Sequence, residues 1–238
     1  MTDPRLTFGL HGPSRSFDRR INAIRGDLAE IALAGKMFAP HYAVPVVRMC
    51  AAPHSLIYHK PDGEAGSELL HHERFWLLDV SGRWAWGYCG HDHYVGYILA
   101  DQLSDPIDAV PYIPAADPVD VALTFLNMPY VWGGRGGVGI DCSGLIQRAY
   151  AAIGILAPRD SDMQLKSLGK SLAADETLER GDLVFLPRHV GIMKDQTTII
   201  HANVHHGKTV SEALDNVVQR YSDAHDGVGI IARKRISK

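Results

Sequence analysis

Pro106, Pro111, Pro114 and Pro118 fall within one short stretch, Ser104 to Pro118. Each fixes φ near about −65° and removes a backbone donor, so neither a helix nor an inner strand runs through it. The stretch reads as a stiff connector, and the sequence on its two sides follows different rules. Any fold for this chain is therefore assembled from two separately built parts.

On the N-terminal side, Val44–Met49, Ser55–His59, Phe75–Val80, Arg83–Cys89 and Tyr94–Leu99 are short β-type runs. Between them lie Pro61-Asp62-Gly63, Ser81-Gly82 and Gly90–His93, which are turn chemistry. Five such runs in about 60 residues predict a small β-barrel. Upstream, after a polar arm, Asp27 to Met37 has the spacing of one amphipathic helix. On the C-terminal side, Asp117 is a good N-cap and Pro118 a good first helical residue. Val119, Ala122, Leu123 and Leu126 follow at helical spacing. A glycine-rich loop (133, 134, 136, 137, 139) leads into a predicted helix over 142–153, which Gly154 closes. Strand-like runs Asp182–Leu186, His189–Met193 and Thr197–His201 come next. A helix carrying Leu214, Val217, Val218 and Tyr221 precedes a last strand near Val228–Arg233. Helices first and antiparallel strands afterwards is an α+β order. The expected organisation is an arm with a short helix (1–40), a barrel (41–103), a linker (104–116) and an α+β domain (117–238).

The chain has 238 residues, 46% hydrophobic and 21% charged, which supplies a core and excludes a mainly disordered chain. With a net charge of −3 and no apolar run near the ~20 residues that span a bilayer, neither nucleic acid nor membrane is an expected partner. Met1 to Arg20 has no continuous apolar segment of the kind a secretory signal needs, so a cytoplasmic location with reduced cysteines is expected. Oligomeric state is left open.

Thirteen histidines and three cysteines raise the question of a metal. Cys89-x-His91-x-His93 and His201-x3-His205-His206 have ligand types. The first is crowded into a turn, and on a strand residues four apart lie ~13 Å from one another. No metal or other cofactor is expected. Gly134 to Gly139 formally matches G-x-G-x-x-G, with Asp160 about 20 residues on. No βαβ succession surrounds it, so flexible or close-packed backbone is the better reading.

Cys142 stands at the predicted start of the second helix, where free N–H groups and about half a positive charge favour a thiolate and can receive an oxyanion. Cys50 and Cys89 lie in β-type runs and read as core. A nucleophilic thiol needs a base and a group that orients the base. If Lys194-Asp195-Gln196 is a three-residue hairpin loop, His189 and His201 are directly opposed on one face, with Cβ atoms roughly 5 Å apart. His201 can then hold one ring nitrogen of His189 and present the other.

Tyr130-Val131-Trp132-Gly133-Gly134, Asp141-Cys142-Ser143-Gly144, Arg159-Asp160-Ser161, Gly181-Asp182-Leu183-Val184-Phe185, His189-Val190-Gly191-Ile192 and Ile200-His201-Ala202 occur in that order. The set resembles the NlpC-type cell-wall peptidases, papain-like cysteine hydrolases of bacterial peptidoglycan, over about residues 115–235. The preceding β-rich part looks like the bacterial SH3-like barrel that often precedes that domain. Together they resemble the γ-D-glutamyl-L-diamino-acid endopeptidases. The resemblance implies Cys142 as nucleophile, His189 as general base and then acid, His201 as the orienting member and Tyr130 beside the oxyanion. It implies that Asp160 and Ser161 hold the free α-amine of a substrate L-alanine, and that a barrel tyrosine, here Tyr94, closes the pocket. Ser161-x-x-Gln164 also reads as a capping box. The implied partners are small L-Ala-γ-D-Glu-diamino-acid peptides already released from the wall. An amidase or acyltransferase on the same scaffold, or a non-catalytic wall-peptide binder, are the alternatives. Leu186-Pro187-Arg188 and the histidine-rich His91-Asp92-His93-Tyr94 depart from the family's usual residues.

Overall fold

Residues 16–107 and 117–236 are described in a computed structural model of the chain. Most of the predicted linker (108–116) and the first part of the predicted arm (1–15) lie outside the described residues.

The chain enters through β1 (Leu28–Glu30), a single 3-10 turn (Ile31–Leu33) and β2 (His41–Ala43), which pairs parallel with β1. The helix expected over 27–37 does not form. Gly26 and Gly35, the latter at φ +74°, bracket only about two turns, too short to be stable alone. Pairing with β2 wins, and Ala29, Leu33 and Ala39 bury together beneath it.

Seven strands follow: β3 (Val46–Cys50), β4 (His54–Tyr58), β5 (Ala65–Leu70), β6 (Arg74–Ser81), β7 (Trp84–Cys89), β8 (Val95–Leu99) and β9 (Leu103–Ser104). They form one antiparallel sheet in the order β5-β4-β8-β7-β6-β3-β9. Ile57, Leu69, Phe75, Ala85 and Ile98 fill its core with Cys50 and Cys89, the two thiols read as core from sequence. β5 was not foreseen, because Ala-Gly-Ser-Glu-Leu-Leu lacks the branched and aromatic residues of a strand. It forms as an edge strand on β4, and its polar Ser67 and Glu68 are fully buried by the other half of the molecule.

The second half begins with α1 (Pro118–Thr124), where Asp117 Oδ1 accepts the Val119 N–H at 2.8 Å, as the cap and first-turn proline predict. Then come α2 (Cys142–Ala151), α3 (Ser161–Ser167), β10 (Lys170–Ser171), β11 (Leu183–Leu186), β12 (His189–Met193), β13 (Thr198–Asn203), β14 (Lys208–Ala213), α4 (Leu214–Ala224) and β15 (Ala232–Arg235). The strands make a six-stranded antiparallel sheet, β10-β15-β11-β12-β13-β14. Leu145, Ile146 and Ala149 of α2 pack with Val119 and Ala122 of α1 against Leu183, Phe185, Val190 and Ile192. The opposite sheet face buries Val184, Leu186, Met193 and Ile199 under Leu214 and Val217 of α4. Helices on both faces of an antiparallel sheet, behind a small β-barrel, is the α+β architecture read from the sequence. No helix among the described residues is long and apolar enough to cross a membrane.

The glycine loop is what joins the two halves. Glu68 Oε2 accepts the N–H groups of Arg135 (2.8 Å) and Gly137 (3.0 Å), so a barrel carboxylate sits where a phosphate would sit in a nucleotide fingerprint. A Cβ on Gly137 would collide with that carboxylate, which explains the glycine. The Arg135 side chain, fully buried, then forks onto Glu73 (2.6 and 3.0 Å) and reaches Gln147 of α2 (2.9 Å). The barrel therefore holds the loop that leads directly into Cys142.

Candidate active site

Cys142 is the first residue of α2 and 6% exposed. Its position is set by Asp141, whose Oδ1 caps the helix through the Gly144 N–H (2.7 Å) while Oδ2 takes the Gly133 N–H (2.9 Å). Arg159, also buried, clamps both oxygens of Asp141 (3.0 and 2.6 Å) and donates to Ser143 Oγ (2.9 Å) and Ser67 Oγ (3.2 Å). One guanidinium thus ties the helix start, its capping residue and the barrel together.

Cys142 and Val190 bury together in one core cluster, which brings the start of β12 against the first turn of α2. The neighbouring His189 points its Nε2 at His201 Nδ1, 2.7 Å away. His201 Nε2 lies 2.8 Å from Glu212 Oε1, and Glu212 also receives Arg220 (2.6 Å) and His206 (3.0 Å). Glu212 is the nearer partner of His201 Nε2, the Asn203 amide nitrogen lying at 3.1 Å, and a carboxylate only accepts, so we assign the His201 proton to Nε2. His201 Nδ1 is then the acceptor for His189 Nε2–H, and the lone pair of His189 is left on Nδ1. Tyr221 stacks on the His189 ring (centroids 5.3 Å apart, planes at 22°), with His225 stacked behind it.

The hairpin register differs from the sequence expectation. Ile192 pairs with Ile200 and Met193 with Ile199, because Asp195 Oδ1 accepts the N–H groups of Thr197 (3.0 Å) and Thr198 (2.8 Å) and moves the turn one residue on. The pairing slips by an even step, so His189 and His201 keep one face and meet diagonally instead of directly across. Gly191 then lies across from His201, and a Cβ there would come within 3.1 Å of the His201 Cβ.

The electrostatics also differ from the expected standing thiolate. Burial, then the adjacent Asp141 carboxylate, pushes the Cys142 thiol up to about 12, against the Val190 N–H and Arg159. Burial, then His201, holds His189 well below the ordinary histidine value. The resting couple is therefore thiol and neutral imidazole. Burial works against the Glu212 charge, yet Arg220 and His201 outweigh it and keep the carboxyl at about 2. Burial, and next the neighbouring Cys142, raise the phenols of both Tyr130 and Tyr221, the latter to about 12.

A cavity of about 390 Å³ opens over Cys142 and is lined by Tyr94, Asp160, Ser161, Trp132 and Arg20. Thus Tyr94, Asp160 and Ser161, singled out from the sequence, share one pocket with the thiol. The capping box expected at Ser161 is absent: Asp160 is the N-cap but its side chain caps nothing. Gln164 is drawn instead to the carbonyls of Ser143 (3.0 Å) and Pro158 (2.8 Å). The Asp160 carboxylate is engaged by Arg20 Nη1 at 2.7 Å, a contact from 140 residues away with no local sequence signal. Glu212, Arg220 and Tyr221 were also missed, since only the β13–β14 register and the packing of α4 bring them to the histidines. Arg159 belongs to the Arg159-Asp160-Ser161 motif, and no local signal there announces its clamp on Asp141.

Of the candidate metal ligands, Cys89, His91 and Asp92 approach within 4.8 Å of one another. Asp92 already accepts from the Tyr94 N–H (2.9 Å) and Gln147 (2.8 Å), and His91 Nε2 lies 3.2 Å from it beside buried Arg135. His93 does not join them; it turns at φ +60° to stack on Tyr88. In the second set, His201 and His206 share Glu212.

Comparison with known proteins places residues 127–225 in the NlpC/P60 family and residues 57–103 in the bacterial dipeptidyl-peptidase Sh3 domain. The chain is 36% identical over 97 residues to Dipeptidyl-peptidase 6 of Lysinibacillus sphaericus, covering 41% of this chain and 35% of that protein. It is 32% identical over 120 residues to a gamma-D-glutamyl-L-lysine dipeptidyl-peptidase of Bacillus subtilis (strain 168), covering 45% of this chain and 40% of that protein. The match spans well under half the length of either relative. An NlpC/P60 family protein of Bacillus cereus with a known crystal structure is 21% identical, with a TM-score of 0.45, over 79% of this chain and 62% of that one. The chain carries an NlpC/P60 domain behind a bacterial dipeptidyl-peptidase Sh3 domain.

Proposed function

We propose that the protein is a cysteine endopeptidase that hydrolyses the γ-D-glutamyl–diamino-acid bond of small peptidoglycan peptides carrying a free N-terminal L-alanine. The observation that carries this reading is the single pocket in which Cys142 shares walls with the Asp160 carboxylate and the barrel's Tyr94. A thiol that attacks and a carboxylate that receives an ammonium then line the same cavity. The curated relatives include a gamma-D-glutamyl-L-lysine dipeptidyl-peptidase, which agrees with this substrate class.

In this mechanism Cys142 gives its proton to His189 Nδ1 as sulfur attacks the γ-carbonyl of D-glutamate. The oxyanion is received by the Cys142 backbone N–H, which has no partner inside the helix, and by the Tyr130 hydroxyl. His189 returns the proton to the departing diamino-acid amine, and water hydrolyses the thioester. His201 and Glu212 keep His189 in the tautomer that this sequence of transfers needs. The free-amine requirement fits peptides already released from the wall, because a glycan-attached stem has no free L-alanine amine. Cytoplasmic recycling of such peptides is the role we assign.

Mass spectrometry of products from L-Ala-γ-D-Glu-diaminopimelate and from its N-acetylated form tests the reading. The free peptide should be cut and the acetylated one at least about 30-fold more slowly, and Asp160→Ala should erase most of that difference, the scale expected for one hydrogen bond to a charged group. Equal cleavage of both peptides by the wild type would remove amine recognition.

A further inference from the structure

We infer that Arg20 is a positioning residue of the amine subsite, fixing Asp160 with one carboxylate oxygen left for the substrate's ammonium. The inference rests on the reading of Asp160 as amine receptor and extends the specificity machinery to the segment that precedes the barrel.

Arg20 Nη1 donates to Asp160 Oδ2 (2.7 Å) and Asp162 Oδ1 (2.8 Å), while Nη2 reaches Asp162 Oδ2 (3.0 Å) and Asp18 Oδ2 (2.8 Å). Its Nε donates to both oxygens of Asp18, at 3.1 and 3.2 Å. The Arg20 carbonyl accepts the Val95 N–H at 2.8 Å, next to Tyr94, so the same residue is anchored to the wall of the pocket. A planar guanidinium held on three sides leaves Asp160 little rotational freedom.

Two features point to support of the subsite over blockage. Among the described residues, Asp160 Oδ1 has no hydrogen-bond partner, and Asp160 lines the cavity. Arg159 is matched by Asp141, so the carboxylates of Asp18, Asp160 and Asp162 stand against Arg20 and Arg188 and leave the cavity with a net negative charge, as an ammonium requires. The charged and titratable groups facing Asp160 are Arg20, Arg159, Asp162 and Tyr94, with His59 and Arg188 further along the same cavity. Burial raises the Asp160 carboxyl and Arg20 opposes that rise. Removing Arg20 therefore makes Asp160 easier to protonate.

The test measures kcat and KM for L-Ala-γ-D-Glu-diaminopimelate against pH in the wild type, R20A, R20K and D160N, with thermal unfolding of each. R20A should raise KM about tenfold with kcat within about twofold, the signature of lost binding rather than lost chemistry. The acid limb of kcat/KM should move to higher pH in R20A, and R20K should recover part of the KM through its charge without the fork. A KM that is unchanged or lower in R20A, or an equal fall in kcat with an unmoved acid limb, overturns the inference. D160N separates the two levels. A raised KM in D160N with an unchanged KM in R20A removes only the role of Arg20. An unchanged KM in D160N removes the amine receptor and this inference together.

Discussion

Cys142→Ala should abolish hydrolysis of L-Ala-γ-D-Glu-diamino-acid peptides, and His189→Ala should lower kcat by at least about 10²–10⁴, the usual contribution of positioned proton transfer. The neutral resting couple sharpens this expectation. With the thiol pushed up to about 12, almost no thiolate exists before substrate binds, so attack depends on a base that takes the proton during the step. His189 is the imidazole whose free nitrogen is left over once His201 and Glu212 are satisfied. His201→Ala should cost less than His189→Ala, because it removes orientation and leaves the base. The pH dependence has a definite sign. A base held well below 6.5 stays neutral into mild acid, so the acid limb of kcat/KM should have its midpoint below 6.5. Steady-state rates of the purified variants across pH decide this; wild-type turnover by Cys142→Ser would end the assignment of the nucleophile.

Arg159→Ala should destabilise the fold by about 3–5 kcal/mol, the scale for removing one partner of a buried ion pair. Both partners are buried, with side chains 1% and 5% exposed, so solvent offers the orphaned Asp141 carboxylate little relief. The loss spreads, because Asp141 also caps α2 and holds the Gly133 N–H, and Arg159 reaches across to Ser67 of the barrel. Arg159→Lys keeps the charge but cannot fork onto two oxygens, and it should recover only part of the loss. Urea unfolding of the three proteins gives the comparison. A loss below about 1 kcal/mol in Arg159→Ala would mean that the clamp does not hold the helix start.

The parts of this architecture that were legible in the sequence are those written in local chemistry. Asp117-Pro118 opens α1, and Asp141 followed by Cys142 opens α2, because caps act within a few residues. Five of the seven barrel strands were legible from their β-type runs and turns; the two-residue β9 was not, nor was β5, whose Glu68 makes sense only when the glycine loop docks on it. The histidine face survived an error in the turn because the true register differed by an even step. Arg20 and Glu212 were not legible, since each reaches the site through tertiary pairing. The stretch 27–37 failed for the opposite reason: a helical spacing too short to stand alone yielded to a strand partner.

The central claim is that Cys142 carries the acyl group, and acid-quenched intact-protein and peptide mass spectrometry during turnover of L-Ala-γ-D-Glu-diaminopimelate tests it most directly. The expected result is an L-alanyl-γ-D-glutamyl thioester on the peptide containing Cys142, absent in Cys142→Ala and enriched in His189→Ala acylated with an activated ester. Turnover by Cys142→Ala, or wild-type turnover with the acyl group on any other residue, would contradict it.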